Sequence, residues 1–180
     1  MRTIITFLSL LFCVVSVSSQ TNYYTTTNTF YETGYTYQCD VDIAEMVTLY
    51  NKSNKLTYVD VVYKATGKLF SPTKPEEYNV FEDDTWTKQL CHSIVNNAFS
   101  KSEKGRVKGR KFSITLYINS DTGKVTEVNF NFTTFSPYAT IPISVYRKIE
   151  TELKSKIWFT ITTQGKRLNY IMLSWGQEAE

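Results

Sequence analysis

Apolar and polar positions alternate in two stretches of the chain in the same order. Val47-Thr48-Leu49-Tyr50 and Lys55-Leu56-Thr57-Tyr58-Val59-Asp60-Val61-Val62-Tyr63 align with Ile114-Thr115-Leu116-Tyr117 and Lys124-Val125-Thr126-Glu127-Val128-Asn129-Phe130-Asn131-Phe132. A period of two predicts half-buried strands, and the turn residues Asn51-Lys52-Ser53-Asn54 and Asp121-Thr122-Gly123 fold each pair into a hairpin. Ser71-Pro72-Thr73-Lys74-Pro75 then breaks the first pattern. Behind Asp83-Asp84, whose carboxylates suit a helix N-terminus, Trp86, Leu90, Cys91, Ile94, Val95 and Ala98 recur at helical spacing, so a helix is expected to run to about Phe99. After the second hairpin, Pro142 and Ser144 open a helix with an apolar stripe of Val145, Tyr146, Ile149 and Leu153. Glu150 with Lys154 and Glu152 with Lys156 read as solvent-side pairs on it.

The order is strand, strand, helix, twice over, then Ile157 to Thr162, a turn at Gln164-Gly165-Lys166, and a last strand from Leu168 to Trp175. Such an order predicts an α+β fold: an antiparallel sheet of about six strands with two helices on one face. The units are two ββα repeats, 46–100 and 111–155, and a closing hairpin, 157–175. Residues 20–38 are crowded with Thr and Tyr and read as an irregular arm, with Tyr35, Tyr37, Cys39 and Val41 forming one side of a short strand.

Met1-Arg2, the apolar run from Ile4 to Val17 and the small residues Ser18-Ser19 make 1–19 a secretory signal cleaved before Gln20. A run of that length falls short of the roughly 20 apolar residues a spanning helix needs. The remainder, 20–180, is long enough to bury a core as one domain. Loss of Arg2 with the signal takes the formal charge from +3 to +2, which argues against general nucleic-acid or anionic-membrane binding. The expected location is secreted or periplasmic, with no membrane span in the mature chain.

Chemistry-bearing motifs are sparse. His92 is the single histidine and follows Cys91, but neighbouring helical side chains point about 100° apart, so the two do not form a thiol–base pair. Ligand number and spacing fit no zinc site, and Glu82-Asp83-Asp84 lacks the glycine-containing oxygen-rich loop of a calcium site, so no metal and no cofactor is expected. Cys39 and Cys91, both on apolar faces, are either a disulfide formed in an oxidising compartment or two buried thiols. The basic run Lys101 to Lys111 reads as a solvated connection without aromatic residues for base stacking.

Strand parity isolates a more informative surface. If Val47, Leu49, Ile114, Leu116, Val128 and Phe130 face the helices, Tyr50, Tyr58, Tyr117 and Trp158 point the other way with Thr and Asn neighbours. Large aromatics left in water mark an interaction surface, so a protein or glycan partner, a second copy of the chain or the Tyr-rich arm is expected over them.

Phe112 to Trp175, with its Asp121-Thr122-Gly123-Lys124 turn, helix, aromatic strand and Gly165-Lys166 turn, resembles the C-terminal domain of TonB-type periplasmic proteins. The whole chain, through Tyr37-Gln38-Cys39-Asp40 and Leu49-Tyr50-Asn51-Lys52-Ser53-Asn54-Lys55, resembles a family of small secreted proteins of unknown function from gut Bacteroides. That resemblance implies an envelope location and brings no catalytic residues with it. The function expected is a non-catalytic binding module, against the alternative of an envelope hydrolase or inhibitor whose site has no local motif.

Overall fold

The computed structural model describes residues 21–82 and 85–180. The expected signal, its cleavage point and the Asp83-Asp84 helix start lie outside the described residues. Six strands, β1 (Asn28–Glu32), β2 (Tyr35–Val41), β3 (Met46–Asn51), β4 (Phe112–Ile118), β5 (Val125–Thr133) and β6 (Ile171–Gln177), form one antiparallel sheet in the order β1-β2-β3-β5-β4-β6. Helices α1 (Thr85–Ala98), α2 (Lys101–Val107) and α3 (Ile143–Lys156) complete the α+β fold.

Register explains why α1 and α3 share one face. Leu49 and Ile114 both pair with Phe130, and Ile114 also pairs with Trp175, so these side chains point the same way. Tyr146 of α3 lies tilted against Phe130 at 5.0 Å and stacks on Phe132 at 5.6 Å, while the His92 carbonyl of α1 accepts a 3.0 Å hydrogen bond from Gln177. The apolar positions of both helices, Cys91, Ile94, Val95, Tyr146, Ile149 and Leu153, are buried against that face.

Four elements differ from the sequence expectation. The arm is ordered by a hairpin: β1 and β2 close at Gly34, whose φ of +82° suits a residue without Cβ. Ahead of it Tyr24 is fully buried, donating 3.0 Å to the Ile141 carbonyl and meeting Phe30, Phe132 and Tyr146 edge-on. The basic run contains α2, held by a capping box in which Ser100 and Glu103 exchange side-chain-to-backbone bonds of 3.3 and 2.7 Å.

Residues 55–63 form no strand, because the edge of β3 that a hairpin partner would occupy is taken by β5. The first repeat is therefore not a hairpin followed by a helix. Instead the segment crosses the far side of the sheet as a strap. Glu127 of β5 accepts from the amides of Lys55 and Leu56 at 2.8 and 2.9 Å, Tyr117 of β4 donates 3.2 Å to the Thr57 carbonyl, and Val62 exchanges 2.9 Å bonds with Asn169 ahead of β6. Residues 64–82 then carry the chain round to the helix side, where Phe81 bridges to Ile161.

The closing hairpin is also absent. Ile157 to Thr162 makes only isolated bridges, Lys124 with Trp158 and Phe81 with Ile161, and β6 pairs with β4 alone. Gly123 fixes this arrangement. Its φ is +72° and a Cβ there would stand 1.8 Å from the Phe159 carbonyl oxygen, so only glycine lets the Phe159 amide reach the Gly123 carbonyl at 2.9 Å.

Candidate functional site: a cleft beside the edge strand

The aromatic far face is split: Tyr117 is buried, Tyr50 half-buried, and Tyr58 and Trp158 are exposed. Tyr117 is 4% exposed, wedged between the strap and Tyr170, whose ring lies 5.5 Å away. Its hydroxyl accepts from Asn129 at 2.8 Å while donating to Thr57. Tyr50 and Tyr58 both donate to one oxygen of Asp40, at 2.8 and 2.7 Å, and Gln38 donates to the other at 2.8 Å. Burial raises the Asp40 carboxyl, but the bonds from Tyr58, Gln38 and Tyr50 outweigh it and hold the group below the usual carboxylate range. Burial, then the bond to Asp40, pushes the Tyr50 phenol up to about 12. The cover is thus the strap, not the arm. Trp158 is placed elsewhere, tilted against Trp86 of α1 at 4.6 Å and still half exposed.

Cys39 and Cys91 are both free and buried. Cys39 lies on β2 and Cys91 faces β6, and four strand spacings of about 4.8 Å put them roughly 19 Å apart, beyond any disulfide. The disulfide reading is therefore replaced by that of two buried thiols. Burial pushes each thiol up to about 12. At neutral pH neither is the thiolate a nucleophile requires.

What sequence reasoning missed is a cleft of about 400 Å³ on the helix side, between α1 and β6. Phe81, Phe159, Leu173 and Trp175 give it apolar walls, while Lys88 and His92 contribute polar groups from α1. The His92 and Trp175 rings lie nearly parallel, 6.4 Å apart. Trp175 is held from behind: its indole nitrogen donates to Gln177 at 3.0 Å, and Gln177 is in turn tied to the His92 carbonyl and to Asn96. Strand and helix patterns already marked Cys91, Phe159 and the last strand through Trp175 as core-facing, but not the cleft, because Phe81 reaches it through a bridge between irregular segments.

The cleft lies against an open edge. β6 is terminal in the strand order, and among the described residues no second strand or loop hydrogen-bonds to the backbone of 171–177. Among the described residues there is no group of three or more His, Cys, Asp or Glu able to hold a metal ion, and no helix long and apolar enough to cross a membrane.

Residues 20–175 match the profile of a family described as a domain of unknown function, DUF5043. The chain belongs to the DUF5043 family. It is similar to a crystal structure of a DUF5043 family protein from Bacteroides uniformis, with 48% sequence identity, a TM-score of 0.85 and 89% of each chain covered. A comparison with curated proteins returns no match. At that identity and TM-score, this DUF5043 chain and its relative share one fold.

Proposed function

We propose that this chain is a secreted or periplasmic, non-catalytic binding module that takes an extended peptide along β6, with an apolar side chain of that peptide in the α1–β6 cleft. The observation that carries the reading is the juxtaposition of a partly apolar cleft with an unpaired strand edge. An open edge is a row of donors and acceptors ready for another strand, and native proteins cover or break such edges unless they are used. Strand addition draws affinity from the main chain and selectivity from pockets for alternate side chains. The volume of about 400 Å³ admits a large side chain. The one thiol in the cleft, Cys91, is buried and held protonated beside the His92–Trp175 pair, which supports binding over covalent chemistry.

The test is selection from a displayed library of random peptides against residues 20–180, followed by amide hydrogen exchange on the complex. Enriched peptides with alternating apolar residues, protection of the β6 amides on binding and loss of binding in Trp175→Ala support the reading. Selection no richer than for Trp175→Ala, or binding that leaves β6 exchange unchanged, would overturn it.

A further inference from the structure

Glu150 occupies a solvent-side position in the sequence pattern, yet its side chain is fully buried in the middle of α3. Its carboxylate accepts from Tyr37, from Asn51 at 3.3 and 3.4 Å, from Arg147 at 2.9 Å one turn before it and from Lys154 at 3.4 Å one turn after. A carboxylate offers about four lone-pair sites, so Glu150 is saturated. The cations around it are not. Arg147 bonds Glu150 at 2.9 Å, also interacts with the Tyr37 hydroxyl, and lays its guanidinium over the Tyr35 ring at 5.3 Å, and both Arg147 and Lys154 keep a third of their side chains exposed.

Arg147 and Lys154 open into a cleft of about 600 Å³ at the β1–β2 turn, where Lys52 joins them with Tyr31 and Ser53. Lys52 bonds Thr29 at 3.3 Å, whereas the ion pairs of Glu150 are with Arg147 and Lys154. Two cations therefore pair with one fully used carboxylate, and a third, Lys52, shares their cleft. Glu32 also acts on Tyr35, but it lines a separate hollow with Tyr23 and Pro142. Neutralising Glu150 needs one cation, so the cleft carries positive charge beyond that need.

We propose that this cleft is a binding site for a small carboxylate-bearing ligand, whose carboxylate takes the free edge of Arg147 with Lys154 and Lys52 beside it. The guanidinium is fixed on two sides, by Glu150 at one N–H and by Tyr35 beneath its plane, so its planar fork is pre-oriented for a bidentate acceptor. Glu150 is the positioning residue, set from behind by Tyr37 and Asn51. The site lies at the opposite edge of the sheet from β6 and is independent of the peptide cleft.

The test is an NMR titration of residues 20–180 at low salt with glucuronate, succinate, glucose and inorganic sulfate, following the amides of Gly34 and Ser53 and the Arg147 Nε–H. Saturable shifts with glucuronate or succinate, and none with glucose, are expected; which of the two binds tighter separates a sugar acid from a simple dicarboxylate. Arg147→Lys keeps the charge without the fork and is expected to weaken carboxylate binding at least tenfold. Lys52→Ala leaves the Glu150 network untouched and is expected to weaken it several-fold at unchanged melting temperature. No saturable shift with either carboxylate, sulfate binding as tightly as carboxylate, or affinities unchanged in both variants would overturn the proposal.

Discussion

Tyr58, in the strap, donates a 2.7 Å hydrogen bond to Asp40 of β2, reaching past β3 to do so. Tyr50 joins them through the same carboxylate oxygen, and the two rings meet edge-on at 6.0 Å. This cluster pins the strap at the end farthest from β6.

Asp40 therefore makes the strap sensitive to acid. Its folded pKa is depressed, so its contribution is complete above the ordinary carboxylate value and disappears as pH falls through the lower folded value. The protection factors of the amides of residues 54–60, that is, exchange corrected for its intrinsic pH dependence, are expected to be constant from neutrality down to the ordinary Asp value of about 3.9 and to fall below it. Asp40→Asn should remove that acid step and cost roughly 1–2 kcal/mol, read by denaturant unfolding.

Two aromatics with matching sequence parity should behave differently. Tyr117→Ala empties a buried site under the strap and is expected to cost about 3–5 kcal/mol. Trp158→Ala loses a half-exposed stacking contact and should cost about 1 kcal/mol. Equal losses on thermal melting would contradict the placement of Trp158 away from the covered face.

The two cysteines should be silent in the folded state. With both thiols buried, free and held up to about 12, a thiol reagent at pH 8 is expected to label neither in native protein and both after unfolding. Melting midpoints with and without reductant should coincide.

Gly123→Ala is expected to destabilise by more than about 2 kcal/mol, since positive φ and a backbone contact oppose any Cβ. Gly105→Ala, in a helix with open space around it, is the matched control and should be neutral or stabilising.

Period-two parity was enough to sort Leu49, Ile114, Phe130 and their neighbours onto one face, and helical spacing located α1 and α3, because burial of one face imposes both patterns. The strap was not legible. Val59, Val61 and Tyr63 alternate with Tyr58, Asp60 and Val62 as in a strand, and the competition between residues 55–63 and β5 for the same edge of β3 is a long-range matter that local pattern does not contain. Glu150 misled for a similar reason: its spacing from Lys154 is that of an exposed pair, and only the arrival of Tyr37 and Asn51 from β2 and β3 makes its burial tolerable. The Ser100–Glu103 capping box, by contrast, is a local signal that could have located α2. The cleft beside β6 depends on Phe81 and Phe159, which no periodicity links.

The strand order also divides the sheet into an early half and a late half. β1, β2 and β3 are joined by tight turns, whereas Met46 finds its partner only at Thr133. Folding thus hinges on two seams of high sequence separation, β3 with β5 and β4 with β6, which places the domain among slow folders. Until β5 arrives, β3 stands with one side bare, a ready template for a neighbouring chain. The span between Asn51 and Val125 is long enough for that interval to be appreciable during synthesis, so the molecule's greatest exposure to misassembly falls before the sheet has its centre.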